Sequence, residues 1–597
     1  MSDATSPLTT CLGVEHSLQG RVWQTAVPDE HGIKDLARAL GLPDAVARIL
    51  VARGFTAETA EPFLNPTLRD LMPDPSILAG VDEAVTRLIS AIEADQKIVV
   101  FGDYDVDGAT SSALLIRFFR TLGISVESYI PDRMKEGYGP NTPALLKLRA
   151  EGADIAITVD CGITAYEPLA AAAEAGLDVV VIDHHKADPE LPIAAAIVNP
   201  NRLDDTSGQG HLAAVGVTFL VLVALNRRLR DLDWYSRSGK TEPDLRTLLD
   251  IVALGTVCDV VPLKGLNRAY VNHGLSVMAR GQNIGLVALG NVAGLKEPPR
   301  AFHLGYMLGP RVNAGGRVGE ASLGTRLLVS EDPDEAAVLA MRLNDYNADR
   351  KDIEASVLVE AIEQAESTEA PDAHVVFVAG DKWHPGVIGI VASRLRERYD
   401  LPACVVALDG GMAKGSGRSV PGVDLGQAVL AARDAGLLFN GGGHAMAAGF
   451  TVEVDKLEEF KTFLAKHISD QVADGGRLPS YTIDAIVAPS GATIDLVKRL
   501  SSMEPFGAGN DEPKIVVSAA QIVKSDIVGN GHVRCIATGS DGGRLKAIAF
   551  NCTDSELGYA LLNTQGRSIH LAGSLREDTW QGRSDVQLVI EDAAWDT

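Results

Sequence analysis

Residues 97–108 read KIVVFGDYDVDG: four consecutive apolar residues, Ile98 to Phe101, run into Gly102-Asp103-Tyr104-Asp105-Val106-Asp107-Gly108. A strand-length run with no polar alternation predicts a strand covered on both faces. The text downstream keeps the same rhythm. Helix-length stretches (SSALLIRFFRTLG, TPALLKLRAEG, YEPLAAAAEAG) alternate with short apolar runs (VESYIP, DIAITVD, DVVVID). That alternation predicts a parallel sheet with helices on both faces, the α/β class. In such sheets ligands bind beyond the C-terminal strand ends. The acidic residues fall there: Asp103, Asp105 and Asp107, then Asp160-Cys161-Gly162, then Asp183-His184-His185. Asp259 follows inside the apolar run IVALGTVCDVVPL.

Outward from this block the pattern changes on both sides. Ahead of it, KDLARALGLPDAVARILVARGF and VDEAVTRLISAIEA carry apolar residues at helical spacing, which predicts an N-terminal helical segment over 1–94. Behind the block (95–321), a Leu/Ala/Glu-rich stretch over 322–368 predicts one or two long connecting helices. A second, smaller α/β block follows over 369–472, from HVVFVAGDKWHPGVIGIVASRLRERY to GGGHAMAAGF. The last part, 473–597, is a series of β-runs broken by Gly, Asp and Asn. That spacing predicts a small antiparallel barrel of the OB type. A chain of 597 residues accommodates about four domains at roughly 150 residues each.

Lys and Arg total 54 against 79 Asp and Glu, a net charge of −25. Overall charge therefore excludes a general phosphate-backbone binder. Any nucleic-acid site must be a local basic groove or must use metal ions. The six cysteines show no CxxC or Cys/His spacing, which argues against a structural zinc module and for reduced thiols. The first residues carry no basic-then-apolar leader pattern. The longest apolar stretch, Leu212–Leu225, has 14 residues against the roughly 20 that span a bilayer. A cytoplasmic chain without membrane association is expected.

A single Asp after a strand is ordinarily a turn or helix-cap residue. Several carboxylates gathered at one sheet edge repel one another unless cations offset them. Carboxylates mixed with imidazoles suit a pair of Mn²⁺ or Mg²⁺ ions, which acidify a water and neutralise charge on a phosphoryl group. Further on, Gly415-Ser416-Gly417-Arg418-Ser419 reads either as a flexible turn or as a phosphate cradle of backbone N–H, hydroxyl and guanidinium groups. Arg311, Asn313 and Arg317 suit either helix capping or the backbone of a nucleic-acid strand. His444, after three glycines, reads as a helix-start residue, and Trp383 as a stacking residue or a buried anchor.

Taken in order, Gly102-Asp-Tyr-Asp-Val-Asp-Gly108, Val159-Asp160-Cys-Gly162, Asp183-His184-His185 and Gly255-Thr-Val-Cys-Asp259 resemble the successive motifs of the DHH superfamily of phosphoesterases. Other segments narrow the resemblance to the RecJ family of single-strand-specific exonucleases. They are Asp132-Arg133 with Gly137-Tyr138-Gly139, Gly309-Pro-Arg311-Val-Asn313-Ala-Gly-Gly-Arg317, Trp383-His384-Pro-Gly386, Gly415–Ser419 and Gly441-Gly-Gly-His444. The resemblance implies a DHH domain and a smaller DHHA1 domain joined by a long helix, with a C-terminal OB-like barrel.

It also implies two metal sites. Asp105 would serve one and Asp107 the other, with Asp160 bridging; His184 and Asp259 would complete the second, and Asp103 would stand among the ligands. His185 would sit at the scissile phosphate, with Asp160 and His184 in the catalytic set. Some superfamily members carry a His where this chain has Phe101. Arg133, Arg311, Asn313, Arg317, Ser416, Arg418 and His444 would contact substrate, with the Ser416/Arg418 segment holding a 5′-phosphate. The implied activity is 5′→3′ digestion of single-stranded DNA in repair and recombination, with single-strand binding protein and a RecQ-type helicase as partners. Two rivals follow: a DHH phosphoesterase of short substrates, and a catalytically dead DNA-binding scaffold.

Overall fold

Strand Ile98–Gly102 is buried along its whole length, as its unbroken apolar run requires, and so is Ile155–Val159. They belong to a five-stranded, all-parallel sheet in the order Glu127–Tyr129, Ile98–Gly102, Ile155–Val159, Asp178–Ile182, Ala196–Val198. The order reverses between Ile98–Gly102 and Ile155–Val159, and the crevice beyond such a reversal is where doubly wound sheets bind ligands. The structure is a computed structural model and describes residues 7–133, 135–367, 374–473, 479–578 and 584–596.

The chain divides into two compact units. The larger, Pro73–Val261 with His273–Gly476, holds this sheet and its helices, including Val106–Thr121, Ala214–Asp231 and Leu249–Cys258. Helix Pro333–Ser367 leaves the block, and its 35 residues span roughly 52 Å. It leads to a second five-stranded sheet in the order Asn440–His444, Ala447–Glu453, Met412–Arg418, Ala403–Asp409, Val376–Asp381. Only the Val376–Asp381/Ala403–Asp409 pair in that sheet is parallel. Trp383 is buried and donates from Nε1 to Glu360 on the long helix at 2.8 Å, so it anchors the second block to the connector.

The smaller unit joins Met1–Met72, Pro262–Asn272 and Arg477–Thr597. Its centre is a closed barrel: Ile515–Val528, His532–Thr538, Arg544–Ala549, Asp585–Trp595 and Ile569–Asp578, the last pairing back onto the first. Register shifts in Ile515–Val528 bend that 14-residue strand so that it serves both neighbours. Residues 1–94, read from sequence as helical, prove mixed. Leu8–Thr10 and Val22–Ala26 form a small sheet with Ser480–Ile483, and helices begin only at Glu30–Leu40. Strands this short leave no legible alternation. Trp23 fixes the early segment by donating to the buried Asp592 at 3.0 Å. Arg268, also buried, donates to the carbonyls of Phe63, Met503, Glu504 and Pro505 and stacks on the Phe63 ring.

Among the tail aromatics, Phe550 and Tyr559 are exposed, Tyr481 is buried, and Phe506 and Trp595 pack against the core. Trp580 lies outside the described residues. Among those residues, no helix is long and apolar enough to cross a membrane.

Candidate metal centre and phosphate cleft

The turn after strand Ile98–Gly102 is built by its own carboxylates. Asp105 caps helix Val106–Thr121, accepting at Oδ1 from the N–H groups of Asp107 (2.8 Å) and Gly108 (3.1 Å). Gly108 is obligatory, since a Cβ there would collide with the Asp103 backbone. Asp107 is fully buried and reaches the first turn of helix Ala214–Asp231, whose own cap, Ala213, has no side-chain oxygen. It accepts from Ala214 N–H at 2.7 Å and Val215 N–H at 2.9 Å. Asp160 follows Ile155–Val159 with φ of 61°, the left-handed region that a non-glycine residue occupies at a cost.

Asp183 holds the two histidines. Its Oδ1 accepts from the N–H groups of His184 and His185 and lies 2.7 Å from His185 Nδ1, while Oδ2 accepts from Ile163 N–H. His184 Nδ1 lies 3.0 Å from the Leu212 carbonyl, which can only accept. The neutral ring therefore presents a lone pair at Nε2. That atom lies 3.4 Å from Asp160, 3.6 Å from Asp259 and 4.0 Å from Asp107. Tyr138 donates to the Asp160 carbonyl at 3.0 Å, with its hydroxyl 3.3 Å from His185 Nδ1.

Three sets of donor atoms thus converge: Asp103/Asp105/Asp160, Asp107/His184/Asp259 and Asp160/His184/His185. Asp103 Oδ1, Asp160 Oδ1, His184 Nε2 and Asp259 Oδ2 are buried and accept no hydrogen bond. Four acceptors left facing one another in a buried crevice fit divalent cations bound by oxygen and imidazole. The electrostatics agree. Burial, then the neighbouring carboxylates, push Asp103 and Asp160 well above the usual range, Asp107 to about 7 and Asp259 to about 9. Burial, with His185 adding to it, drives His184 down to about 4, which keeps it neutral. Burial would also lower His185, but the bond and charge of Asp183, with Asp107 and Asp103, outweigh it and raise the ring.

Beside this centre lies a cluster of arginines. The Arg133 guanidinium covers the Tyr104 ring at 5.0 Å. Arg317 donates to the Gly386 carbonyl at 3.0 Å; burial, then the charges of Arg133, Arg350 and Arg418, lower it to about 10. Arg418 is lowered by burial and by Arg133. Guanidiniums that depress one another form a ready site for an anion. Ser416 and Arg418 point the same way, with Arg418 Nη1 3.3 Å from Ser416 Oγ, toward the start of helix Ile388–Tyr399. A Cβ at Gly389 would crowd both of their side chains, so the glycine keeps that helix end open to them.

Three parts of the site occupy different elements from those read in the sequence. Asp259 is no strand-end residue: it caps the C-terminus of helix Leu249–Cys258, and that helix, buried on nearly every side, reads like a buried strand. Gly415–Arg418 is strand, not loop. Its glycines are there because Phe450 packs over Gly415, and Leu425 and Cys404 over Gly417. His444 ends strand Asn440–His444 instead of opening a helix, and it is lowered by burial and by the charges of Lys186 and His185. Of the remaining substrate residues, Arg311 is engaged away from the arginine group, with Met307 O at 2.6 Å and Asn344 Oδ1 at 3.1 Å. Asn313 is half-buried one turn before Arg317. Asp183 and Tyr138 sit in quoted motifs without an assigned role; only the fold brings them onto His185.

Three family models match the chain: "DHH family, N-terminal domain" over 97–256, "DHHA1 domain" over 372–470 and "RecJ OB domain" over 483–592. The single-stranded-DNA-specific exonuclease RecJ of Bacillus subtilis is 35% identical over 96% of this chain and 70% of its own length. The enzyme of that name from Escherichia coli is 34% identical over 92% of this chain and 96% of its own length. The crystal structure of RecJ in complex with Mn²⁺ from Thermus thermophilus superimposes with a TM-score of 0.80 at 29% identity, covering 96% of this chain and 79% of that one; another holds Mg²⁺. With relatives this similar along nearly its whole length, the chain belongs to the RecJ family of single-stranded-DNA-specific exonucleases.

Proposed function

We propose that the chain digests single-stranded DNA from its 5′ end, hydrolysing phosphodiesters with two Mn²⁺ or Mg²⁺ ions and releasing 5′-mononucleotides. The observation that carries the reading is the set of four buried, unpartnered acceptors on Asp103, Asp160, His184 and Asp259 beside a cluster of arginines. Asp103 and Asp105 would hold one ion, Asp107, His184 and Asp259 the other, with Asp160 reaching both. When bound, the ions acidify a water and offset the charge that develops on the phosphoryl group. The protein supplies the rest. Asp183 aims the His185 ring and raises its affinity for a proton, and the protonated ring would donate a hydrogen bond to a phosphate oxygen as its charge grows. Arg133, Arg317, Ser416 and Arg418 grip the terminal 5′-phosphate, which fixes the direction of digestion.

Arg311, Asn313 and His444 would contact the strand nearby. The division of labour would be a helical lead over 1–94, catalysis in 95–321, connection in 322–368, phosphate grip in 369–472 and strand binding by the barrel in 473–597. The setting would be cytoplasmic DNA repair and recombination, alongside single-strand binding protein and a RecQ-type helicase. Digestion of a single strand labelled at either end, with and without metal, tests the reading. Release from the 3′ end, or release unaffected by chelation, would count against it.

A further inference from the structure

Ala301–His303, the π turn Leu304–Leu308 and helix Gly309–Val318 form one continuous helical run. Pro310 explains the π turn. It has no N–H for the Tyr306 carbonyl, and its ring would strike that carbonyl in a regular helix. The run widens instead, and Gly309 N–H bonds the Leu304 carbonyl five residues back. The inner face is locked beside the metal centre: a Cβ at Gly309 would strike Cys258, next to Asp259, and one at Gly316 would strike the Tyr104 backbone, between Asp103 and Asp105.

The other face carries Phe302, Tyr306, Asn313 and Arg317, and it runs from the exposed aromatics to the half-buried arginine cluster. Phe302 is 54% and Tyr306 74% exposed, yet the two rings stack on each other with centroids 5.0 Å apart and 27° between planes. Two large aromatics held in water on the same helical run as the cluster arginine form a ready contact surface. Its electrostatics favour an anionic partner. Between Glu297, which is taken up by His303 Nε2 at 3.1 Å, and Glu320, the run contains three arginines and no carboxylate, in a chain with 79 Asp and Glu. At 1.5 Å per residue, Tyr306 lies roughly 16 Å and Phe302 roughly 22 Å along the axis from Arg317.

We infer that Phe302 and Tyr306 form a base-stacking platform for the single strand, engaging nucleotides downstream of the one whose phosphate the arginines hold. The inference rests on the exonuclease reading above. Stacking on an aromatic face tolerates any base, as an enzyme that proceeds along a strand requires.

The test compares wild type, Phe302→Ala/Tyr306→Ala and the aromatic-retaining Phe302→Tyr/Tyr306→Phe on a long 5′-phosphorylated oligonucleotide and on a 5′-phosphorylated dinucleotide too short to reach the platform. For the alanine pair, kcat/KM on the long strand should fall at least about tenfold, through KM, with dinucleotide turnover unchanged. The aromatic pair should match wild type. A 2-aminopurine several nucleotides from the 5′ end should be quenched on binding to wild type and not to the alanine pair. Wild-type-like behaviour of the alanine pair on the long strand, or equal losses on both substrates, overturns the platform. So does loss in the aromatic-retaining pair. Failure of wild type itself on the long strand overturns the exonuclease reading instead.

Discussion

Asp183 Oδ1 lies 2.7 Å from His185 Nδ1, and the same oxygen accepts the backbone N–H groups of His184 and His185. One buried carboxylate therefore orients the histidine assigned to the phosphate and raises its affinity for a proton. Asp183→Asn should lower kcat about 10–100-fold with little change in KM. The amide oxygen of the Asp183→Asn variant can still accept the His184 and His185 N–H groups, so the loss should run through the His185 ring, and the double variant with His185→Ala should be no slower than His185→Ala alone. Additive losses would show that Asp183 contributes by another route.

Asp160 takes part in two of the three converging donor sets and has no hydrogen-bond donor at Oδ1. Asp160→Ala should abolish cleavage and reduce the number of Mn²⁺ ions bound in calorimetric titration, with an unchanged circular dichroism spectrum. A pure, metal-loaded variant that retains turnover contradicts the bridging role.

Arg418 lies against Ser416 and shares its surroundings with Arg133. Arg418→Ala should cost about tenfold or more in kcat/KM on 5′-phosphorylated strands, the loss of one charge-assisted contact, and much less on 5′-hydroxyl strands. Equal losses on the two substrates would remove Arg418 from the phosphate grip.

Much of this site is readable before folding, and the reason is local. Asp103 to Asp107, Asp160 and Asp183 to His185 each close an unbroken apolar run, which marks a buried strand and its C-terminal edge. Asp259 sits inside such a run too, but helix Leu249–Cys258 is buried on nearly every side and so lacks the polar stripe that identifies a helix. Gly415 and Gly417 look like loop glycines because their cause, the packing of Phe450 and Leu425 over a strand, is distant in sequence. Tyr138 and Asp183 depend on neighbours that only the fold supplies, and Leu8–Thr10 and Val22–Ala26 are too short to show a period.

Arg268 binds four carbonyls from two distant segments of the smaller unit. Arg268→Ala should destabilise that unit by about 3–5 kcal/mol, since it leaves the Phe63 and Glu504 carbonyls without their donor and empties a buried site, while Met503 and Pro505 keep the Asn510 amide. Lysine cannot reproduce the fork, so Arg268→Lys should recover little. An unaltered urea midpoint for either variant would contradict this.

Asp250 is buried, its carboxyl pushed up to about 6 by burial despite its bond from Ile251 N–H and the nearby Arg117. A folded value above the unfolded one means that stability is fully present below about pH 4 and lost as pH rises through about 6, a loss of about 3 kcal/mol. Asp250→Asn should therefore raise the melting temperature at about pH 8 and leave it unchanged at about pH 4. An equal shift at both values would exclude ionisation as the cause.

The most direct measurement is digestion of a single-stranded oligonucleotide labelled at the 5′ or the 3′ end, with Mn²⁺, Mg²⁺ or EDTA. The expected result is immediate release of labelled mononucleotide from the 5′-labelled strand, progressive shortening of the 3′-labelled strand, and neither in EDTA. An intact long strand alongside turnover of a dinucleotide would place the chain among phosphoesterases of short substrates, and binding without cleavage under every metal would make it a scaffold.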